Sequence, residues 1–252
     1  KVIYHIHETS IKPHILKLFL RWVVKKTASK IIFVSHYLQR VEGFQSKDQL
    51  VIHNSLDESF YKIAMDSTYL YESKTFNVLM ACSLKEYKGI SEFLKIAGEC
   101  QEVGSINFSL VLNATQDEVD EYYKNNNPSG NMQIFSKQVD MSKFYRDTNL
   151  VLNLSKPESW IETFGLTIIE AMAFGIPVIV PEIGGPSEIV RHGSDGYLMS
   201  SNNWLAISEK ILELSHDRDL CHKLSISCRN RVNDLSSSKF KNEFEKILST
   251  SN

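Results

Sequence analysis

At 252 residues the chain has room for one large domain or one and a half smaller ones, and 42% hydrophobic with 23% charged residues is ordinary for a globular protein. A net charge of −2 argues against a general nucleic-acid binder. No apolar run reaches the roughly 18 residues of a membrane span, and the four cysteines lack metal-ligand spacing, which points to reduced thiols in a cytoplasmic setting.

Residues 2–7 read as a buried strand arriving at a loop with His5, His7 and Glu8. Residues 11–30 read as a helix, and Ile31-Ile32-Phe33-Val34 as a second buried strand. Ser35 is placed to cap a helix through about Val41, and residues 50–54 make a third short strand. This βαβαβ alternation predicts a parallel sheet with covering helices. Residues 57–74 carry charge and tyrosines without strand period and read as a linker.

A second sheet is predicted to open at Phe76–Cys82, followed by a turn and helix through Cys100. A strand at 106–114, a polar helix at 115–126, a strand near 132–137, a short helix near 141–148 and a strand near 149–155 follow. Helices are expected near 203–215, 217–231 and 236–249. Asp217-Arg218-Asp219 resembles a metal-binding string, but it sits where acids favour a helix start and reads as a cap.

Charge is uneven. From Thr9 to Val41 there is no acid, but there are seven bases: Lys12, Lys17, Arg21, Lys25, Lys26, Lys30 and Arg40. His14, Lys17, Arg21 and Lys25 form one helical stripe, and Ile11, Ile15, Leu18 and Trp22 another. Two readings fit: a helix packed on its sheet with a solvated basic face, or a helix that touches anionic lipid.

The stretch 153–196 organises the rest. Thr163-Phe164-Gly165 opens a helical pattern in which Leu166, Ile169, Ala173 and Phe174 recur at helical spacing. Gly175 and Pro177 stop it, and Val178-Ile179-Val180 suits a buried parallel strand. Gly184-Gly185-Pro186 turns the chain, with Ser187 placed to cap the next helix. The helix near Phe164 directs free N–H groups and a positive dipole end above the sheet, a ready site for a diphosphate. Glu162 precedes this helix and Glu170 lies about two turns along it, so both carboxylates are expected to border one cleft.

Glu162 and Glu170, separated by seven residues with Phe164-Gly165 among them, and the following EAMAFGIPVIV, GGPSEIV and DGYL, resemble the hallmark of the retaining glycosyltransferases of the glycosyl transferases group 1 family. The resemblance implies an α/β GT-B fold: two Rossmann-like domains with parallel sheets, the first incomplete. It assigns 1–60 to the end of the N-terminal, acceptor-side domain, 61–74 to a linker, 75–235 to the nucleotide-sugar-binding domain and 236–252 to a C-terminal helix. The chain starts mid-pattern at Lys1, without a Met, and reads as an N-terminally truncated piece.

Sugar transfer from a nucleotide donor develops negative charge on the departing diphosphate, which needs positive groups or helix amides. By the resemblance, Lys88 meets the diphosphate together with the amides after Phe164, at Gly165 and Leu166. Ser83 stands where the family usually has an arginine, and either Lys85 supplies the missing charge or the Ser83 hydroxyl donates one bond. Glu170 would accept the ribose hydroxyls, Glu162 would face the transferred sugar with His7 beside it, and Ile134 and Phe135 would lie near the base. Gly184, Gly185 and Glu188 shape the loop beside the sheet's carboxyl edge, with a structural or a functional part.

The expected activity is metal-independent, cofactor-free, retaining transfer from a UDP- or GDP-linked sugar to a glycan or lipid-linked acceptor in bacterial surface polysaccharide or glycolipid synthesis. The expected setting is cytoplasmic, with residues 11–30 in peripheral contact with the inner face of the membrane under the lipid reading. A non-catalytic nucleotide-sugar-binding module and a nucleotide-sugar epimerase of similar fold are the alternatives. Residues 1–252 alone are expected to bind donor but not to transfer sugar.

Overall fold

The computed structural model describes residues 2–9, 11–45, 47–70 and 74–249. The first sheet is β1 (Ile3–Ile6), α1 (His14–Thr27), β2 (Lys30–Phe33), α2 (His36–Glu42) and β3 (Asp48–Val51), with strands parallel in the order β1-β2-β3. Ile31, Ile32 and Phe33 are fully buried, as an unbroken β-branched and aromatic run requires. Ser35 caps α2 by accepting from the Leu38 amide. α1 is shorter than the 11–30 expected, because Pro13 precedes its first turn and Lys30 already pairs in β2. β3 ends before His53 and Asn54, which belong to the loop at the sheet's carboxyl edge.

The expected linker, 61–74, begins inside a helix, α3 (Glu58–Met65), capped by Asp57. Phe60 and Ala64, four residues apart, share its inner face. Phe60 meets the rings of Tyr145 and Phe174 at 6.2 and 5.7 Å, and Ala64 is fully buried. Tyr69 beyond it is buried and donates its hydroxyl to the Asn149 carbonyl at 2.8 Å. Residues 71–73 of the expected linker lie outside the described residues.

The second sheet runs β4 (Phe76–Cys82), α4 (Ile90–Glu99), β5 (Ile106–Leu112), α5 (Gln116–Asn126), β6 (Met132–Phe135), α6 (Ser142–Arg146), β7 (Leu150–Leu152), α7 (Leu166–Ala173), β8 (Val178–Val180), α8 (Pro186–Ile189) and β9 (Gly196–Leu198). All neighbours are parallel in the order β6-β5-β4-β7-β8-β9. The chain winds outward one way through β5 and β6 and the other way through β8 and β9. The order therefore reverses between β4 and β7, where open α/β sheets form a crevice beyond their carboxyl ends. Ser187 does not cap α8: Gly185 takes the cap position and Pro186 the first turn, where a missing N–H costs nothing, and the Ser187 hydroxyl donates back to the Gly184 carbonyl at 2.8 Å.

Three helices close the chain: α9 (Trp204–His216), α10 (Arg218–Val232) and α11 (Ser237–Ser249). Asp217 caps α10 by accepting from the Leu220 amide at 2.8 Å. α11 returns to the first sheet, where Phe240, Phe244 and Ile247 pack against Ile3, Ile32, Leu50 and Ile52. The C-terminal helix is therefore part of the first sheet's core.

Candidate functional site

The site forms where β4 and β7 part. After Cys82 the chain passes Ser83 and a single 3-10 turn, Glu86–Lys88, into Gly89. Gly89 has φ +80°, and a Cβ there would lie 2.2 Å from the Leu154 carbonyl oxygen. Only glycine lets Lys88 turn this tightly over the end of β7. The Lys156 amide donates to the Tyr87 carbonyl at 2.8 Å, and Trp160 stacks on Tyr87 with ring centroids 5.3 Å apart. These contacts bind the two loops into one wall.

Beyond β7, Phe164 is buried and Gly165, at φ +104°, starts α7 without a side-chain cap. The first amides of α7 therefore stay available to an incoming acceptor, backed by the helix dipole. Gly184 and Gly185 press on the same loop. Gly185 N donates to the Glu162 carbonyl at 2.9 Å, and a Cβ on Gly185 would lie 2.2 Å from the Thr163 carbonyl oxygen.

A cleft of about 400 Å³ opens here. Of the residues expected from the sequence, it brings together His7, Ser83, Lys88, Glu162, Phe164, Gly165 and Leu166. Lys88 Nζ lies 2.7 Å from Glu162 Oε2, with the two side chains only 17% and 20% exposed. The pair holds a cation and an anion side by side, facing the open end of α7. Thr163 Oγ1 donates to the His7 carbonyl at 2.6 Å, which joins the first sheet's loop to the same rim. Cys82 also lines the cleft, and burial pushes its thiol up to about 12 against the opposing charge of Lys88, so it is a neutral wall atom.

Other expected residues lie elsewhere. Glu170, on α7, does not line the cleft; its Oε2 accepts the Tyr145 hydroxyl at 2.7 Å. Burial raises the Glu170 pKa, and the bond from Tyr145 opposes the rise. Lys85 is exposed and outside the cleft, where its charge bears on Glu118 of α5. Ile134 and Phe135 are half-buried on the edge strand β6, and Phe135 meets Phe144 edge-on at 5.0 Å in a separate groove. Sequence reasoning missed Trp160, Thr163 and Asn153, which line the cleft. An aromatic two residues before the first hallmark glutamate was the one available signal, for Trp160.

Two facing parallel sheets with a crevice at the carboxyl edge place the chain in the GT-B class, as the sequence implied. One solved structure with this fold is that of the Anabaena protein HepE in complex with UDP, which superposes with a TM-score of 0.82 at 20% identity over 98% of this chain and 72% of that one. The chain belongs to the family described as Glycosyl transferases group 1, whose model matches residues 67–231. It is 25% identical over 234 residues to N-acetyl-alpha-D-glucosaminyl L-malate synthase of Bacillus anthracis, covering 89% of this chain and 58% of the relative. It is also 25% identical over 216 residues to the capsular polysaccharide biosynthesis glycosyltransferase CapM of Staphylococcus aureus, covering 82% of this chain and 53% of the relative. The chain thus spans just over half the length of these two relatives.

Proposed function

We propose that this chain carries the donor site of a retaining, metal-independent glycosyltransferase that moves a sugar from a UDP- or GDP-linked donor to a glycan or lipid-linked acceptor in bacterial surface polysaccharide or glycolipid synthesis. The supporting observation is the convergence of Lys88, Glu162 and the uncapped start of α7 on one cleft. In this reading the diphosphate lies across the α7 amides, and Lys88 turns part of its charge from Glu162 to the phosphate oxygens. Both groups stabilise the charge that grows as the anomeric bond breaks, which is the part a metal plays elsewhere. Ser83, short and neutral, donates one bond where an arginine would carry charge. Glu162 faces the sugar, and His7 looks on from the first sheet's loop. Glu170, with one oxygen held by Tyr145, accepts ribose hydroxyls through the other, and the backbone of Ile134 and Phe135 borders the base. In retention the acceptor enters on the leaving-group side, and the departing phosphate takes its proton.

Calorimetry with UDP and GDP tests the reading. One of them is expected to bind, with the same affinity in EDTA as in magnesium. Binding that requires magnesium overturns the metal-free part, and binding of neither overturns the donor site. Product analysis on the full-length protein with the matching nucleotide sugar then separates transfer from epimerisation and from binding alone.

For the membrane contact, the sequence's basic stripe is divided. Lys17 and Arg21 turn inward and share the buried Glu42 carboxylate. Lys12, Lys25 and Lys26 remain exposed, beside the exposed Ile15, Leu18, Phe19 and Trp22. No helix among the described residues is long and apolar enough to cross a membrane. In our reading α1 instead lies on an anionic surface, apolar side chains inserted and lysines at the headgroups. Sedimentation with phosphatidylglycerol vesicles is expected to fall as salt rises, since such attraction is screened over about 10 Å at 0.1 M. Phe19→Ser with Trp22→Ser is expected to abolish it. No binding at low salt returns α1 to an ordinary covering helix.

A further inference from the structure

Glu188 reaches from the second sheet's unit to the first. Its Oε2 accepts the His36 amide at 2.8 Å, and its Oε1 accepts the Tyr37 amide. These are the first two residues of α2. His53 Nε2 stands 3.6 Å from the carboxylate and Arg40 4.0 Å, and the side chain is only 15% exposed. A carboxylate on the opening amides of a helix is a charge-assisted bond reinforced by the dipole. Burial would raise its pKa, but the neighbouring His53 ring and the bonds from the His36 and Tyr37 amides outweigh that and hold it low.

Both ends of this contact are tied to their surroundings. Behind Glu188, Arg231 of α10 donates to the carbonyls of Glu188 and Ile189 at 2.8 and 2.9 Å. In front, Gly184 and Gly185 lie so close to Glu162 and Thr163 that no side chain fits between them. A shift of Glu162 must therefore move the loop that carries Glu188. On the far side, α2 follows β2, whose neighbour β1 leads to His7. A continuous line of contacts thus runs from the Lys88–Glu162 pair through the Gly185–Glu162 backbone bond and the Glu188 carboxylate to the unit that carries His7.

We propose that Glu188 is a positioning residue that sets how the first sheet's unit stands over the donor cleft, coupling the loop at Glu162 to α2. The proposal rests on the donor-site reading only for its consequence in binding; the coupling itself is a matter of geometry. Spin labels introduced by Val41→Cys on α2 and Leu205→Cys on α9, both exposed positions, read the separation of the two units by electron double resonance. The parent is expected to give a narrow distance distribution that changes on saturation with UDP. Glu188→Ala is expected to broaden it at least twofold and to abolish the UDP response, while UDP affinity by calorimetry stays within threefold. Glu188→Gln keeps the shape but sets an amide against backbone donors; it is expected to fall between the two, and it serves if the alanine variant fails to fold. An unchanged distribution in both variants overturns the proposal. A full UDP response that survives in Glu188→Ala overturns the coupling as well. If the parent binds neither UDP nor GDP, the donor-site reading fails, and the broadening alone decides the role of Glu188; if it binds GDP alone, GDP takes the place of UDP in every arm.

Discussion

Lys88→Ala is expected to weaken nucleoside diphosphate binding about 100-fold, or ~3 kcal/mol at 1.4 kcal/mol per tenfold. Two effects add. The charge-assisted bond to phosphate is lost, worth roughly 1.5–3 kcal/mol. In addition, Glu162, paired with Lys88 Nζ at 2.7 Å and mostly buried, is left as an uncompensated anion beside an incoming anion. Lys85→Ala is the matched control, because Lys85 is exposed outside the cleft and is expected to change affinity less than threefold. Calorimetry of both variants decides. Equal affinity in Lys88→Ala and parent would remove Lys88 from the diphosphate site, and a large loss in Lys85→Ala alone would move the charge there.

Gly185→Ala is expected to cost about 3 kcal/mol of stability, near the top of the range for overpacking. The backbone of Gly185 is ordinary, with φ −59°, a conformation alanine adopts without strain. The obstacle is tertiary. An added Cβ would lie 2.2 Å from the Thr163 carbonyl oxygen and 2.5 Å from Phe164 Cα, both backbone atoms that cannot rotate away. Relief requires the hallmark loop to move, so UDP affinity should fall along with the urea midpoint. Gly98→Ala gives the opposite sign: it lies exposed in α4 with nothing within 4 Å of an added Cβ, and a gain of up to about 1 kcal/mol is expected. An unchanged urea midpoint for Gly185→Ala would show that the loop yields freely.

The contrast between these two glycines shows what could be read from sequence. The start and stop of α7 were legible because they are local: Gly165 and Gly175 take φ +104° and +76°, conformations that only glycine adopts readily, and they flank one apolar helix. The strands were legible for the same reason, since a buried β-branched run identifies itself. α3 was not, because its apolar face is two residues wide and its partners, Tyr145 and Phe174, come from far along the chain. Nor was the inward turn of Lys17 and Arg21, which depends on Glu42, a single acid just past the basic stretch. Spacing put Glu170 on the helix beside the cleft, but that its carboxylate meets Tyr145 is decided by where α6 sits. Glu188 was singled out as part of a turn, while its partners on α2 follow from the facing of two units that no local pattern encodes.

The return of α11 to the first sheet has a consequence for biosynthesis. Phe240, Phe244 and Ile247 finish the apolar layer behind β1, β2 and β3, yet they leave the ribosome after everything between. The strands of the first sheet wait for a cover made long after them, while the second sheet closes from segments that follow one another in sequence. Of the two sheets the second therefore closes first, and Ile32 and Ile52 stay wettable until α11 arrives. A chain that stops short of Ser237 presents a bare apolar sheet face, the kind of surface that chaperones bind and that aggregates grow from.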